Sequence, residues 1–316
     1  MKILMITIND PAGMAIAFTK AINRFTEHTC RLITLELRYN FMFDKDLHVP
    51  WLQKEDWDEV EHLLKNSDIF HFHMTADEDL ELGPFRIKDF IQDKIIVHHH
   101  HGHPDYRSNP EKYRQKYYER QRNKLLVSTP DLLNLFPRAC WLPNLVPIHD
   151  PLYLPLEGKT DRGLIKIAHS PTRQDLKNTD NLMNTIYELK KQGLPVEVDL
   201  IVNTEHKECL RKKRRCHILF DHLQGYYGVS SLEGLSQGLC VVAGLDEWNQ
   251  RHLKEFTGQE VLPWIISDAN NLPWNINWLV NDAPRRQAIS LRSRQFMKDY
   301  WNENIITTKL IKFYSD

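Results

Sequence analysis

Arg173 and Lys177 stand four residues apart just after a short apolar run, and Glu233 follows a turn rich in glycine and serine. Two cations at that spacing can point at one anion as a following helix begins. Between 221 and 244 the sequence DHLQGYYGVSSLEGLSQGLCVVAG reads as a loop, a short helix and a buried strand. Gly225 and Gly228 flank Tyr226 and Tyr227. Ser230 and Ser231 are favourable helix N-caps, and Glu233 falls in the first turn, where the dipole favours a carboxylate. Gly238 closes the helix as a left-handed cap, and 239–243 suits a buried parallel strand. The amides of Val229, Ser230 and Ser231 would meet an anion at the helix start. Such a loop suits a phosphate carried by something with hydroxyl groups. Gly13, in the first strand–helix turn, is a weaker signal that would let backbone approach a ligand closely.

Histidines form the second chemical cluster: His98 to His101 in a row, then His103, with His71 and His73 on an earlier run. Consecutive strand residues point to opposite faces, so four in a row cannot all ligate one ion. No cysteine or carboxylate stands at ligand spacing beside them. The expectation is therefore no metal, with one or two histidines facing the ligand and the others packing. Of His71 and His73, one is expected to face the site and one the core. Other chemistries fit less well. The turn NDPAGMA has one glycine where a dinucleotide fold needs G-x-G-x-x-G. Gly158–Lys159–Thr160 lacks the P-loop's earlier glycine, Tyr153 standing there. The strings Asp44–Lys45–Asp46 and Asp77–Glu78–Asp79 do not end apolar strands.

Short apolar runs alternate with amphipathic segments along most of the chain. Strands are expected at 2–8, 31–37, 68–73, 94–98, 124–128 and 140–142, with helices at 14–25, 54–65, 85–92 and 130–136. Residues 145–160 carry three prolines and no period, and read as a linker. A second half follows, with strands at 165–169, 196–202 and 218–221 and helices at 178–192 and 207–215. Three further helices are expected at 275–281, 284–300 and 302–314. This pattern specifies an α/β chain of two doubly wound, Rossmann-like domains, 1–150 and 151–283, whose strand ends would face a cleft. The helices of 284–316 are expected to return to the first domain.

With 316 residues, 41% of them hydrophobic and 26% charged, the chain has room for two domains. Its net charge is −1, yet 211–215 (RKKRR) and 112–124 (KYRQKYYERQRNK) are basic. Tyr113, Tyr117 and Tyr118 read as the buried stripe of an amphipathic helix in the latter, which also admits a peripheral role at a membrane surface. No apolar run approaches the roughly 20 residues of a spanning helix, and MKILMITIN reads as a strand, not a signal peptide. Five cysteines without close pairing fit a reducing cytoplasm.

Five segments in order (DIFHFH at 68–73, VHHHHGHPDYR at 97–107, STPDLLNLFPRACWLPNLVP at 128–147, AHSPTRQDLKNTDN at 168–181 and GYYGVSSLEGLSQGLCVVAG at 225–244) resemble the retaining GT-B-fold glycosyltransferases related to sucrose- and mannosyl-transferring enzymes, family four. The resemblance spans most of residues 1–245. It implies sugar transfer from a nucleotide-diphosphate donor, with retention, without metal, and with no cofactor beyond that donor. It places His101, Arg173 and Lys177 at the reacting centre. Donor binding falls to Gly13, His169, Ser170, Thr172, Gly225, Tyr226, Gly228, Val229, Ser230, Ser231 and Glu233, the last accepting the ribose hydroxyls. His73 and Arg107 lie on the acceptor side, Arg107 assisting there or bracing its loop. The acceptor would be a carbohydrate, a lipid-linked sugar or a protein, with no nucleic acid, in a setting such as polysaccharide biosynthesis. One departure stands out: the second family glutamate, eight positions before Glu233, is Gly225 here. Relatives with Gly-x-Tyr-Gly also lack it. A donor-binding scaffold without turnover is the alternative, and a nucleotide-sugar epimerase a more distant one, since only Glu233 and Asp221 offer acids.

Overall fold

The computed structural model describes residues 1–37, 42–160 and 163–316, which form two compact units. The first comprises 1–145 with 303–316, and the second 146–302.

In the first unit β1 (Lys2–Thr7), almost wholly buried, leads into α1 (Met14–Phe25) and β2 (Thr29–Thr34). β3 (Leu47–His48), α2 (Asp56–Asn66) and β4 (Ile69–His73) follow. A small hairpin, β5 (Glu81–Leu82) and β6 (Phe85–Arg86), replaces the helix expected at 85–92, of which only the 3-10 turn Ile87–Asp89 forms. The reason is local: Gly83, at φ +56, and Pro84 make a two-residue reversal between Leu82 and Phe85. Then come β7 (Ile95–His100), α3 (Pro104–Ser108), α4 (Pro110–Glu119), β8 (Lys124–Val127) and β9 (Cys140–Trp141). Residues 130–134 make a 3-10 turn where a helix is expected. The seven-stranded sheet has the order β3-β2-β1-β4-β7-β8-β9, and every pair in it is parallel. Strand order reverses between β1 and β4, as in a Rossmann sheet.

The second unit repeats the principle with β10 (Ile165–His169), α5 (Thr179–Lys191), β11 (Val196–Leu200), α6 (His206–Arg214), β12 (Ile218–Phe220), α7 (Val229–Ser236) and β13 (Cys240–Ala243). α8 (Glu247–Thr257), β14 (Ile265–Ile266), α9 (Leu272–Asn281) and α10 (Ala283–Tyr300) complete it. Its parallel order is β11-β10-β12-β13-β14, reversing between β10 and β12. Leu182, Ile186 and Leu189, on one stripe of α5, pack with Ile165, Ile167, Ile218 and Val242 of the strands in a core shut off from water.

Two boundaries differ from the sequence expectation. Residues 145–160 do not form a loose linker. Ile148 and Tyr153 are buried, and Gln237, Ser236 and Arg214 donate to the carbonyls of Leu152, Tyr153 and Leu154 at 2.7, 3.0 and 2.8 Å. α10 stays with the second unit, where Arg294 donates to Ser236 O at 3.1 Å and Ile148 O at 2.9 Å. Only α11 (Glu303–Ser315) belongs to the first unit, packed on α1 and tied by Tyr314 Oη to His71 Nδ1 at 2.6 Å.

After β13 the backbone at Gly244 donates to His222 O at 2.7 Å, and a Cβ placed there would lie 2.6 Å from Leu223 Cα. The atoms it would meet are all backbone of Leu223, which has little room to yield. Gly244→Ala is expected to cost about 1–3 kcal/mol, read as a lower urea midpoint; an unchanged midpoint would refute this packing.

Candidate functional site

Ligands of open α/β sheets bind outside the carboxyl ends of the strands where strand order reverses. In the second unit that point lies between β10 and β12. His169 ends β10 but faces inward: its Nδ1 meets Phe220 O at 3.0 Å and its Nε2 meets Thr179 Oγ1 at 2.8 Å. Burial lowers its pKa to about 4, so the ring is neutral and locks β10 to β12 and α5 with both nitrogens. It sits beneath the site and has no nitrogen left for a donor. Ser170, the next residue, is half-buried and joined to Ser230 by an Oγ–Oγ contact of 3.1 Å.

Glu233 is the centre of the arrangement. It lies in the fifth position of α7, past the first turn, because the helix starts at Val229 with extended Gly228 before it. Neither Ser230 nor Ser231 caps the helix; Gly228 holds that position and no side chain bonds there. Lys213 Nζ, 2% exposed, donates to Glu233 Oε2 at 2.5 Å and to Ser230 Oγ at 2.9 Å. His206 Nε2 meets Glu233 Oε1 at 2.7 Å. Burial resists the charge on Glu233, but Lys213 and His206 hold its pKa down to about 2. Sequence reading missed Lys213 and His206. The signal lay in the spacing of α6, where Cys209, Leu210 and Lys213 share a face, so that the third charge of RKKRR points inward.

A second carboxylate, Asp221, follows β12. It accepts from Gly228 N at 2.6 Å and Ser231 Oγ at 2.7 Å, with Lys177 Nζ at 4.0 Å. Burial opposes its ionisation, yet His222, Lys177, Ser231 and Gly228 bring its pKa to about 2. Gly228 permits this fit, since a Cβ there would lie 3.1 Å from both Asp221 oxygens. Lys177 also lies 5.9 Å over the ring of Tyr226, whose hydroxyl donates to Gln224. Gly225, at φ +89, leaves space that the Asp246 carboxylate fills at 3.1 Å, so a side chain at 225 would be strained as well as crowded.

Arg173 pairs with Asp175, two residues on, at 3.0 and 2.5 Å, and Thr172 is exposed. The structure thus gathers Lys177, Tyr226, Gly228, Ser231 and Asp221 into one group and Ser170, Ser230, Lys213, Glu233 and His206 into another, adjoining through α7. Val229 and Ser230 lie in the first turn, where backbone amides lack intrahelical acceptors.

The first unit treats its predicted residues differently. Gly13, at φ +67, precedes α1, and the space a Cβ would take is filled by the ring of Phe43 at 2.4 Å. Its close approach is to that ring. An acceptor at this helix start is already present: Asp10 accepts from Met14 N at 2.8 Å and Ile16 N at 3.1 Å. His71 and His73 are both buried, where one was expected to face the site. Half-buried His101 spans Asn144 Oδ1 and His73 Nδ1, both at 3.0 Å, and burial lowers its pKa to about 4. Arg107 donates to Asp131 at 2.7 Å and to Gly102 O at 3.3 Å, bracing the loop after β7. The basic tract pairs largely with the chain's own acids: Lys116 with Asp77, Arg120 with Glu78 and Asp79, and Arg122 with Glu78 at 2.5 Å. Tyr113 and Tyr117 are buried as expected, but Tyr118 is 78% exposed.

No family profile matches the chain and no curated protein matches it in sequence. Solved structures do match. An α-glucosyltransferase in complex with UDP-glucose and DNA containing an abasic site superposes with TM-score 0.69, 10% identity and coverage of 100% of this chain and 99% of that one. The fold is GT-B. Anabaena HepE in complex with UDP and glucose shares this GT-B fold at TM-score 0.69 and 12% identity, covering 100% and 99% of the two chains. Sucrose-phosphate synthase from Thermosynechococcus elongatus matches at 0.64 and 12%, covering 99% and 98%. One expectation is overturned: the first of these GT-B structures holds DNA, so the exclusion of nucleic acid as a partner does not stand. Among the described residues no helix is long and apolar enough to cross a membrane.

Both site carboxylates have folded pKa values near 2, below their ordinary 4.5 and 3.8. Their contribution, on the order of 2–3 kcal/mol each, is complete above the unfolded values and is lost as pH falls toward 2. Resistance to urea should therefore fall steadily from pH 5 to pH 3. Lys213→Met leaves Glu233 buried without its cation and should cost about 3–5 kcal/mol at pH 7, with a smaller deficit at pH 3. Equal deficits at the two pH values would show that the pair is not ionised.

Proposed function

We propose that the protein is a glycosyltransferase that takes its sugar from a UDP-linked donor. The observation that carries this reading is the buried, ionised Glu233 on the helix that starts at the strand-order reversal. It stands in a fold whose solved examples include complexes with UDP and UDP-glucose. A carboxylate has about four lone-pair sites, so Glu233, bound to Lys213 and His206, keeps further lone pairs with which to accept ribose hydroxyls. Amides of Val229 and Ser230 would meet the diphosphate.

Lys177 supplies the charge that grows in importance as the glycosidic bond breaks. It stands 4.0 Å from Asp221 and is a quarter exposed, so it can turn from that carboxylate to a phosphate without leaving its turn. Arg173, paired with Asp175 at the surface, is the second cation of the same loop. A unit charge pair at about 4 Å is worth on the order of 4 kcal/mol at an effective dielectric of 20. Contacts that strengthen toward the transition state raise the rate. These cations would bear the leaving-group charge without a metal at that step, and the resemblance to retaining enzymes adds transfer with retention, by attack on the same face.

A donor-binding protein without turnover is the second reading. Gly225 favours it, because its backbone and the Asp246 carboxylate leave no place for the family's second glutamate.

In a thermal-shift screen of UDP, GDP, ADP and dTDP, UDP is expected to raise Tm most, and Glu233→Gln to abolish the preference. If no nucleotide shifts Tm, the proposal fails. Release of UDP from UDP-glucose separates the two readings. Lys177→Ala should reduce that release about 100-fold or more, with a much smaller change in donor KM; unaltered turnover would remove Lys177 from the reaction.

A further inference from the structure

We propose that His71, His73 and His99 together bind one divalent transition-metal ion, zinc in type, within the first unit. The register of two parallel strands brings them together. His73 on β4 pairs with His99 on β7, and His71 with Val97, so 71, 73, 97 and 99 project from one face of the sheet. His98 and His100 project from the other, toward Glu78 and Tyr117. Alternation along one strand does separate the consecutive histidines. It does not separate histidines on neighbouring strands, and one ring nitrogen from each of these three lies within 4.8 Å of the others.

The hydrogen-bond pattern shows what those nitrogens carry. The Asn144 carbonyl oxygen accepts from His101 Nδ1 at 3.0 Å, so neutral His101 presents a lone pair at Nε2. That lone pair receives the Nδ1 proton of His73, also at 3.0 Å. His73 Nε2 is therefore a bare acceptor. It has no hydrogen-bond partner, and neither does His71 Nε2 nor either nitrogen of His99. All three rings are at most 1% exposed. A buried polar atom left unpaired is destabilising, and here several stand together. Desolvation by burial, reinforced by the neighbouring histidines, holds all three well below the ordinary histidine pKa. They are thus neutral, the form that binds metal.

Imidazole suits zinc, copper, nickel and iron. Zinc–nitrogen bonds of about 2.0–2.1 Å imply ligand atoms about 3.3 Å apart in a tetrahedron, so the rings need close by only an ångström or so. Three protein nitrogens leave the fourth position to a water. His71 also has the outer partner that metal-bound histidines keep: its Nδ1 meets Tyr314 Oη at 2.6 Å. Such an ion would tie β4 to β7 and, through Tyr314, to α11. Its role is structural, and it does not rest on the transfer chemistry proposed for the second unit.

The test uses the whole chain expressed without a polyhistidine tag. Metal analysis by mass spectrometry should find about one zinc per chain. Cobalt added to chelator-treated protein should give the visible bands of tetrahedral coordination, and zinc should raise Tm. His99→Ala should lose the ion and the cobalt bands, while His62→Ala, on the surface of α2, should keep both. Tyr314→Phe should weaken zinc binding about 10-fold or more. If wild-type protein holds no metal, shows no cobalt bands and has a Tm indifferent to zinc and chelator, the proposal is wrong and the pocket holds water at most. Equal binding by His99→Ala would overturn it as well.

Discussion

Every strand pair in the two main sheets is parallel, so all strands end on the same edge of their sheet. This one constraint distributes chemistry through the molecule. Residues just past the ends of β10 and β12 must emerge side by side, because no other strand lies between those two. Ser170 and Asp221 emerge in this way, one joined to the start of α7 through Ser230 and the other through Gly228 and Ser231. In the first unit the same rule sets the loop after β7, with His101, next to the end of β4, with His73.

Charge inside the second unit is admitted only in compensated form. Glu233 and Lys213 are both nearly inaccessible, and their mutual attraction must outweigh two desolvation penalties. Further bonds from His206 to the carboxylate, and from Lys213 to Ser230, make that balance tenable. Asp221 follows the same logic with an amide, a hydroxyl and a more distant lysine. The cost is rigidity. A site preset in this way gives up conformational freedom before any ligand arrives, which reduces the ordering that binding must still pay for.

Much of this was legible in the residues. The alternation of apolar runs and amphipathic stripes gave the α/β class, and the GYYGVSSLEGLSQG segment marked the turn into α7 and its acid. What escaped depends on neighbours distant in sequence. Lys213 looked like one more surface charge in RKKRR until α6 turned it toward Glu233. Ser230 and Ser231 have good capping chemistry, but extended Gly228 took that role and left their hydroxyls to Ser170, Lys213 and Asp221. Alternation separates the histidines of one strand, while the neighbours of His99 lie across the ladder on β4. Residues 85–92 do not form the helix their pattern suggests, because a glycine–proline reversal outweighs a helical pattern too short to nucleate.

The ownership of α11 has a consequence for how the molecule comes into being. The sheet of the first unit is synthesised early, yet the helix that covers part of it, with Tyr314 reaching His71, is made only after the entire second unit has been translated. Until then the α1 side of that sheet lacks part of its apolar cover. Its final consolidation depends on a contact 243 residues apart along the chain, the kind of long-range closure that slows folding. The nascent chain therefore carries an exposed seam while the second unit is being made, the kind of surface that favours non-native association.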